Sequence, residues 1–544
     1  MDFVLGFFMA LFVSILAMPF LMRYAGRFHL IDAPDVRKAH AGIVPRAGGI
    51  GIALSAAIPV LLWANHQMPL AGFLAGGSII VLFGILDDRY NLDYRLKLLG
   101  QGAAALLLVS SGNAFTQLPL FGMDVVPAVI AYPATILFVL AATNAFNLLD
   151  GLDGLAGGCA ILSLAAIAVL AATTVGGGDI VLIAVAVIGG ILGFLRYNTH
   201  PAVIFMGDAG SQFLGFAIAA LIIMLVEAPA NAMGPAIMLP LLGLPILDTS
   251  MVMLLRIREG RSPFSADRNH IHHKLLSIGL KHHEAVGTIY AMQAVMVTTA
   301  YVLRFESDAM VLAIYVSLCL GCVGAYFIVR ARGGQIAVPQ PRQALAERTF
   351  ISARWGARLH NAAVRYLEWS LAAFLILGAA FATATPPDIA LIALLLAVIL
   401  VVLAASGGAH ISAATRVTAY LAVVYVSYLS VVAPQFEWLT QPQFSAWLLT
   451  VVVAIATVIV LTPRDQFQLS TLDLLIVLVV IGILGVPIPG IDQAVLGRVA
   501  FRSLVFLYAC EVLLSYRTSR FGPVGMASVL ALLVLASSLV TQFL

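Results

Sequence analysis

The sequence predicts an all-α, polytopic integral membrane protein, with about eleven membrane-spanning helices in its first part and about seven more in a C-terminal extension. Three observations carry that expectation. The 544-residue chain is 62% hydrophobic and 10% charged, against roughly 25% charged residues in soluble domains, and its mean hydropathy is +1.03. About eighteen apolar runs each approach the ~20 residues that cross ~30 Å of hydrocarbon. With the N-terminus outside, Lys and Arg segregate: Arg23, Arg27, Arg37, Lys38, Arg46, Arg89, Arg95, Lys97, Arg196 and the basic residues between Arg256 and Lys281 and between Arg330 and Arg365 share one side, and Arg304 stands alone on the other. The positive-inside rule makes the crowded side cytoplasmic. The lipid bilayer is therefore the first expected partner; the net charge of +3 says little about partners, and no nucleic acid is expected among them.

The first span, Phe3 to Met22, lacks a charged n-region and a small-residue cleavage site, so it reads as a retained helix. The loop Arg23 to Gly49 follows, broken by proline and glycine. Its Arg37, Lys38, His40 and Arg46 suit phosphate, a topology signal or anionic head groups equally well. A hairpin of two spans returns the chain to Asp87, Asp88 and Arg89. Adjacent carboxylates repel and are unfavourable at a helix C-terminus, so the pair reads as functional, with Lys97 and Arg95 near enough to offset it.

The fourth and fifth spans lead to Asn144–Gly158, NAFNLLDGLDGLAGG. Polar groups at the end of a membrane helix are costly, roughly 2.5 to 3.5 kcal/mol for an acid at mid-membrane, so this density marks a site. Asp150 and Asp153 are i,i+3 and share a face if helical, with Asn147 and Asn144 stepping back along it. The sixth and seventh spans deliver RYNTHPAVIFMGDAGSQFLG to the same side, with Asp208 between Gly207 and Gly210. A helix cap is the plain alternative for Asp208. The ninth span, about Pro235 to Arg256, is expected as one helix carrying Asp248 near mid-depth, either a functional group or a hydrogen-bond partner of a neighbouring helix.

The long loop from Ile257 holds Arg258, Arg261, Asp267, Arg268, His270, His272 and His273. The aspartates already offer hard oxygens suited to magnesium, which seldom takes imidazole, so His and Arg are read as donors to phosphate or sugar rather than as a zinc site. After the tenth and eleventh spans comes a basic linker, 331–365, with Pro339 and Pro341. It separates a domain over 1–330 from a multi-spanning domain over 366–544, for which Arg498, Arg502 and Glu511 suggest no chemistry. Cys159, Cys319, Cys322 and Cys510 read as small apolar residues: the CxxC at Cys319 and Cys322 has no second pair.

Carboxylates gathered with phosphates are how proteins usually hold magnesium, so the constellation points to phosphoryl transfer at a lipid interface. Without a P-loop or GxGxxG, ATP is not the expected donor. The ordered motifs Asp87-Asp88, NAFNLLDGLDGLAGG, NTHPAVIFMGDAGS and DRNHIHH resemble those of the polyprenyl-phosphate N-acetylhexosamine-1-phosphate transferases, over about Met1 to Arg330. HIHH, in place of three consecutive histidines, resembles the WecA-type branch that uses UDP-GlcNAc rather than the peptidoglycan branch that uses UDP-MurNAc-pentapeptide.

The resemblance implies transfer of a sugar phosphate from a UDP-N-acetylhexosamine to undecaprenyl phosphate, releasing UMP, at the cytoplasmic face of a bacterial inner membrane. Magnesium is the implied cofactor, with manganese as the alternative. It implies that Asp208 and Asp150 hold the metal, and that Asp87 and Asp88 act at the polyprenyl phosphate with Lys97, beside the phosphate-suited Arg46. Asn198 and Phe205 would hold uridine, Asn147 and Asp153 with Asn144 would line the nucleotide cleft, and His270, His272, His273 and Arg268 would bind diphosphate or sugar. Homodimerisation and other UDP-amino sugars stay open. A lipid-linked glycan flippase is the competing class, disfavoured because the charges sit at one face and no inverted repeat is found.

Overall fold

In hydrocarbon every backbone N–H and C=O must be satisfied internally, and an apolar run solves this by coiling into a helix. The computed structural model describes residues 2–32, 44–65, 68–119, 125–229, 232–262, 269–331, 353–381, 387–406, 411–432, 442–461, 475, 477–478, 493–516 and 522–543. Arg37, Lys38, His40, Asp267, Arg268, Pro339 and Pro341 lie outside them.

The chain divides into two compact units, one of Met1–Val338 with Ser470–Pro489, the other of Pro339–Leu469 with Gly490–Leu544. The first contains α1 (Asp2–Tyr24), α2 (Gly48–Trp63), α3 (Met68–Tyr90), α4 (Tyr94–Ser110), α5 (Ala128–Leu149), α6 (Leu155–Ala172), α7 (Gly178–Asn198), α8 (Gly207–Val226), α9 (Met238–Leu242), α10 (Leu244–Arg258), α11 (Ile271–Ser277), α12 (His282–Val302) and α13 (Asp308–Ala331). Across the described residues, ten helices are long and apolar enough to cross a membrane, or eleven with the bent pair α9–α10.

Helix α8 is the axis of this unit, with 94% of its apolar window buried; α2, α3, α5 and α6 pack around it. Glycines set the closeness. A Cβ on Gly49 would lie 2.1 Å from Gly210 N, and one on Gly84 would lie 2.3 Å from the Ala209 Cα. The backbones of α2, α3 and α8 therefore meet directly at the end where α8 begins.

Two features depart from the expectation. The ninth span is not one helix: α9, with a 3-10 turn at Pro235–Ile237, and α10 are bent by 82° at Gly243. Gly243 has φ +57°, which favours glycine. Pro240 and Pro245 flank the break, removing helical N–H donors. The freed groups are recaptured: Tyr315 OH donates to Gly243 O at 3.0 Å, and Gln293 Oε1 accepts the Leu244 N–H at 2.8 Å. The second departure is a two-residue antiparallel ribbon, Ile31–Asp32 with Val44–Pro45, in an otherwise helical chain.

The second unit contains α14 (Ala353–Ala380), α15 (Pro387–Ser406), α16 (Ile411–Val432), α17 (Pro442–Leu461), α18 (Gln493–Tyr516) and α19 (Pro523–Phe543). The stretch expected as a linker is helical from Ala353. Between 470 and 489, which belong to the first unit, only 475, 477 and 478 are described, and Leu475 and Leu478 pack into that unit's core. Arg502 is buried, donates to Ser430 O and Oγ at 3.0 and 2.8 Å, and lies over the Phe444 ring. Glu511 instead pairs with Arg416 at 2.8 Å and with Tyr420. Cys159 and Cys510 are buried and all four cysteines are free.

Candidate active site

The α3–α8 contact builds the centre of the site. The first N–H groups of a helix have no partner within it, and Asp88 on α3 supplies one, accepting from Asp208 N at 2.9 Å and Ala209 N at 3.1 Å. Gly207, at φ +73°, makes the approach feasible, since a Cβ there would lie 2.5 Å from Asp88 Oδ2. Asp88, assigned by resemblance to the lipid phosphate, thus has both oxygens engaged in capping α8.

Capped from outside, α8 leaves the Asp208 side chain free for other work. Lys97 Nζ on α4 bridges Asp208 Oδ2, at 3.2 Å, and Asp87. Asn147 Nδ2 on α5 donates to Asp208 Oδ1 at 2.8 Å and to Ser211 Oγ at 2.9 Å. The Asp87 side chain is buried, whereas those of Lys97 and Asp208 are about a third exposed, 28% and 31%, so the cluster opens on the Asp208 side. Asp150, just past α5, sits close enough to Asp208, Asp88 and Asp153 to feel their charges. Burial first, and then those three carboxylates, push its acid up to about 7, against a smaller opposing pull from Arg46. Four aspartates from three segments therefore share one spot, as the sequence predicts.

Arg46 stands at the rim, paired with Asp32 at 2.5 Å. Its backbone and that of Phe205 form a bridge that ties the first loop to the α7–α8 connection, and Phe205 itself is half-buried. Asn198 differs from the uridine-binding expectation. It is buried, its Oδ1 accepts Gly154 N–H at 2.8 Å and its Nδ2 donates to Ile204 O at 2.8 Å, so the amide fastens the DGLDG turn to the loop before α8. Asn144 also faces inward, donating to Gln101 Oε1 at 2.7 Å and Leu140 O at 2.8 Å.

The histidine loop closes on the same region. Asp248, left open by sequence, is buried on α10 and pairs with His270 Nδ1 at 2.9 Å while capping α11 through Ile271 N–H at 2.7 Å. His272 is buried against Gly151, where a Cβ would lie 2.3 Å from Nε2. Burial mainly, and then the His273 charge, push its imidazole down to about 4, so it is neutral at pH 7. His273 is exposed. A carboxylate that orients a metal-bound histidine commonly contributes about 10- to 100-fold, and a phosphate-binding histidine is expected to depend on its carboxylate to a similar degree. Asp248→Ala is expected to lower kcat/KM of the reaction proposed below by about that factor, with Asp248→Asn retaining more; equal rates for wild type and Asp248→Ala would remove this positioning role.

Sequence reasoning missed Gln101 and Gln212. Both are buried, and Gln101 Nε2 donates to Gln212 Oε1 at 3.0 Å, extending the Asn144 amide chain behind the carboxylates. An isolated glutamine in an apolar helix is the same signal that marked the aspartates. His200, bonded to Asp153 at 2.7 Å, was visible only as part of a loop.

Comparison with known proteins identifies the family. Residues 70–226, which run from α3 through α8, match the model of glycosyl transferase family 4. The chain is 36% identical over 307 residues to a Bacillus subtilis protein named probable undecaprenyl-phosphate N-acetylglucosaminyl 1-phosphate transferase, covering 55% of this chain and 85% of that one. It is 35% identical to decaprenyl-phosphate N-acetylglucosaminephosphotransferase of Mycolicibacterium smegmatis, covering 48% and 73%. It is 30% identical to undecaprenyl-phosphate alpha-N-acetylglucosaminyl 1-phosphate transferase of Yersinia pestis, covering 56% and 87%. With most of each relative's length matched, this chain belongs to the polyprenyl-phosphate N-acetylhexosamine-1-phosphate transferases of glycosyl transferase family 4.

Proposed function

We propose that the protein transfers N-acetylglucosamine 1-phosphate from UDP-GlcNAc to undecaprenyl phosphate, producing the lipid-linked sugar diphosphate and UMP, on the cytoplasmic face of a bacterial inner membrane. The observation that carries this reading is the Lys97 bridge between Asp87 and Asp208 at the start of α8. It supplies an ammonium and a carboxylate face where a phosphate and a diphosphate can meet. The segregation of Lys and Arg supports the cytoplasmic side.

The donor set suits magnesium. Hard carboxylate oxygens crowd together, and burial, with the neighbouring carboxylates adding to it, raises the Asp150 acid to about 7. Asp208 and Asp150 would hold the ion. When bound, it would offset phosphate charge and make the sugar-linked phosphorus more electrophilic.

The remaining steps belong to the chain's own groups. Lys97 and Arg46 attract the two phosphates, and His270, fixed by Asp248, donates to the diphosphate. An oxygen of the polyprenyl phosphate attacks the sugar-linked phosphorus. A new P–O bond forms as the bond to the bridging oxygen breaks, and UMP leaves with that oxygen and its electron pair. Asn147 keeps the Asp208 carboxylate aimed, so the reaction draws on preset charges rather than reorganised water.

A membrane assay with polyprenyl phosphate and a panel of UDP-sugars tests the proposal. Magnesium-dependent UMP release with UDP-GlcNAc is the expected result. Turnover of another UDP-sugar alone would change the donor, and no turnover with any would overturn the reading.

A pH effect follows from Asp150. A carboxyl raised to about 7 must lose its proton to accept a cation, so magnesium affinity is expected to rise with pH up to about 7 and then level off. Without metal the sign for stability is opposite: this group's contribution is fully present below its unfolded pKa and is lost as pH rises through about 7. Thermal midpoints with and without magnesium from pH 5.5 to 8.5, roughly bracketing that value, check both signs; a gap independent of pH would remove Asp150 from the metal site.

A further inference from the structure

Beside the carboxylate cluster, three segments bring together a chemically different set: Asp153 in the turn after α5, His200 after α7 and His282 at the start of α12. One ligating atom from each lies within 4.8 Å of the other two. His200 Nδ1 is 2.7 Å from Asp153 Oδ2, which also accepts the Ala202 N–H at 3.1 Å. The His200 and His282 rings stack with centroids 4.1 Å apart. His282 Nδ1 is buried with no hydrogen-bond partner among the described residues. Buried polar atoms are normally satisfied, and one left over beside two other ligating groups calls for a reason.

We propose that Asp153, His200 and His282 form a binding site for a transition-metal dication of the zinc type. Imidazole suits zinc, nickel and copper, whereas magnesium seeks oxygen donors and seldom takes histidine. The set therefore selects a different ion from the one suited to Asp208 and Asp150, and its assignment does not rest on the transfer reaction. Two imidazoles and one carboxylate make three protein ligands, the number found where a fourth position stays open to water. Ligand distances of about 2.0–2.2 Å require the three groups to close on a common point, and the exposed His200 has room to turn. The entering ion displaces the proton shared by His200 and Asp153, which goes to solvent. Once bound, it clamps the α5–α6 turn, the α7–α8 connection and the head of α12 to one another.

The test uses the full chain, purified in detergent without a polyhistidine tag, stripped with chelator and titrated with Zn2+ or Co2+ in excess Mg2+. The expected result is one tightly bound equivalent, visible as the intense d–d bands of low-coordinate Co2+, and a thermal midpoint raised by Zn2+. His200→Ala and His282→Ala should each lose that equivalent, while His283→Ala and His272→Ala keep it. Because His200 is exposed, its truncation decides the matter even where His282→Ala folds poorly. No binding by the wild type in excess Mg2+, retention of the equivalent in His200→Ala, or its loss in His272→Ala would each overturn the proposal.

Discussion

Asp208→Ala is expected to lower kcat by about three orders of magnitude, the upper range for removing one preset electrostatic group from an active site, while the protein still purifies as a folded species. The geometry explains both halves. The carboxylate is where Lys97 and Asn147 converge, so its loss leaves the ammonium uncompensated on one side and the amide without its acceptor. The α8 start nevertheless keeps its cap, because Asp88 bonds the backbone N–H groups of Asp208 and Ala209 and an alanine at 208 retains its own. Radiolabelled sugar transfer in membranes, read beside a size-exclusion profile, checks the two together. Near wild-type turnover would defeat the assignment of Asp208 to the reacting phosphates.

Gly49→Ala is expected to act oppositely, through the fold. The added methyl would sit 2.1 Å from Gly210 N and 2.2 Å from the Gly210 Cα, and neither is a flexible side chain that could swing aside. Gly49 N–H also donates to Met206 O at 2.8 Å and Gly48 N–H to Phe205 O at 3.0 Å, so separating α2 from α8 breaks the bonds that order the loop before Asp208. Overpacking typically costs about 1–3 kcal/mol, and more where backbone must move; a cost above ~3 kcal/mol is expected here. Gly102→Ala is the control: nothing lies within 4 Å of its added Cβ, and alanine is the better helix former. The measurement is the thermal midpoint in detergent, and equal midpoints for Gly49→Ala and wild type would show that the α2–α8 contact does not depend on a glycine at position 49.

The membrane class and the carboxylates were legible in sequence because both rest on local signals: long apolar runs, and acids placed where acids are costly. Asp87, Asp88, Asp150 and Asp208 could be grouped from sequence because each ends or begins an apolar run on the same side. The roles within the group were not legible. Whether Asp88 or Asp208 caps α8 depends on how closely α3 approaches α8, and that depends on Gly84 and Gly207, whose importance lies in what they allow across the contact. The resemblance assigns Asn198 to uridine, and its contacts within the fold could not be foreseen because its partners, Gly154 and Ile204, are backbone atoms that carry no sequence signal. The break at Gly243 was hidden by average hydropathy, which registers apolar content and not direction. Asp248 consequently looked like an isolated mid-membrane charge until α10 placed it against His270.

The carboxylate proposed to do the chemistry stands at the head of the helix most thoroughly enclosed by protein. Such a helix opens only when much of its surroundings does, so its backbone amides should be among the slowest in this unit to exchange with deuterium. An enzyme arranged in this way cannot bring its reactive group to the substrates. In the proposed reaction the lipid and the nucleotide sugar both travel to a stationary post, and turnover should respond more to how readily they reach it through the bilayer and the rim than to any motion of the post itself.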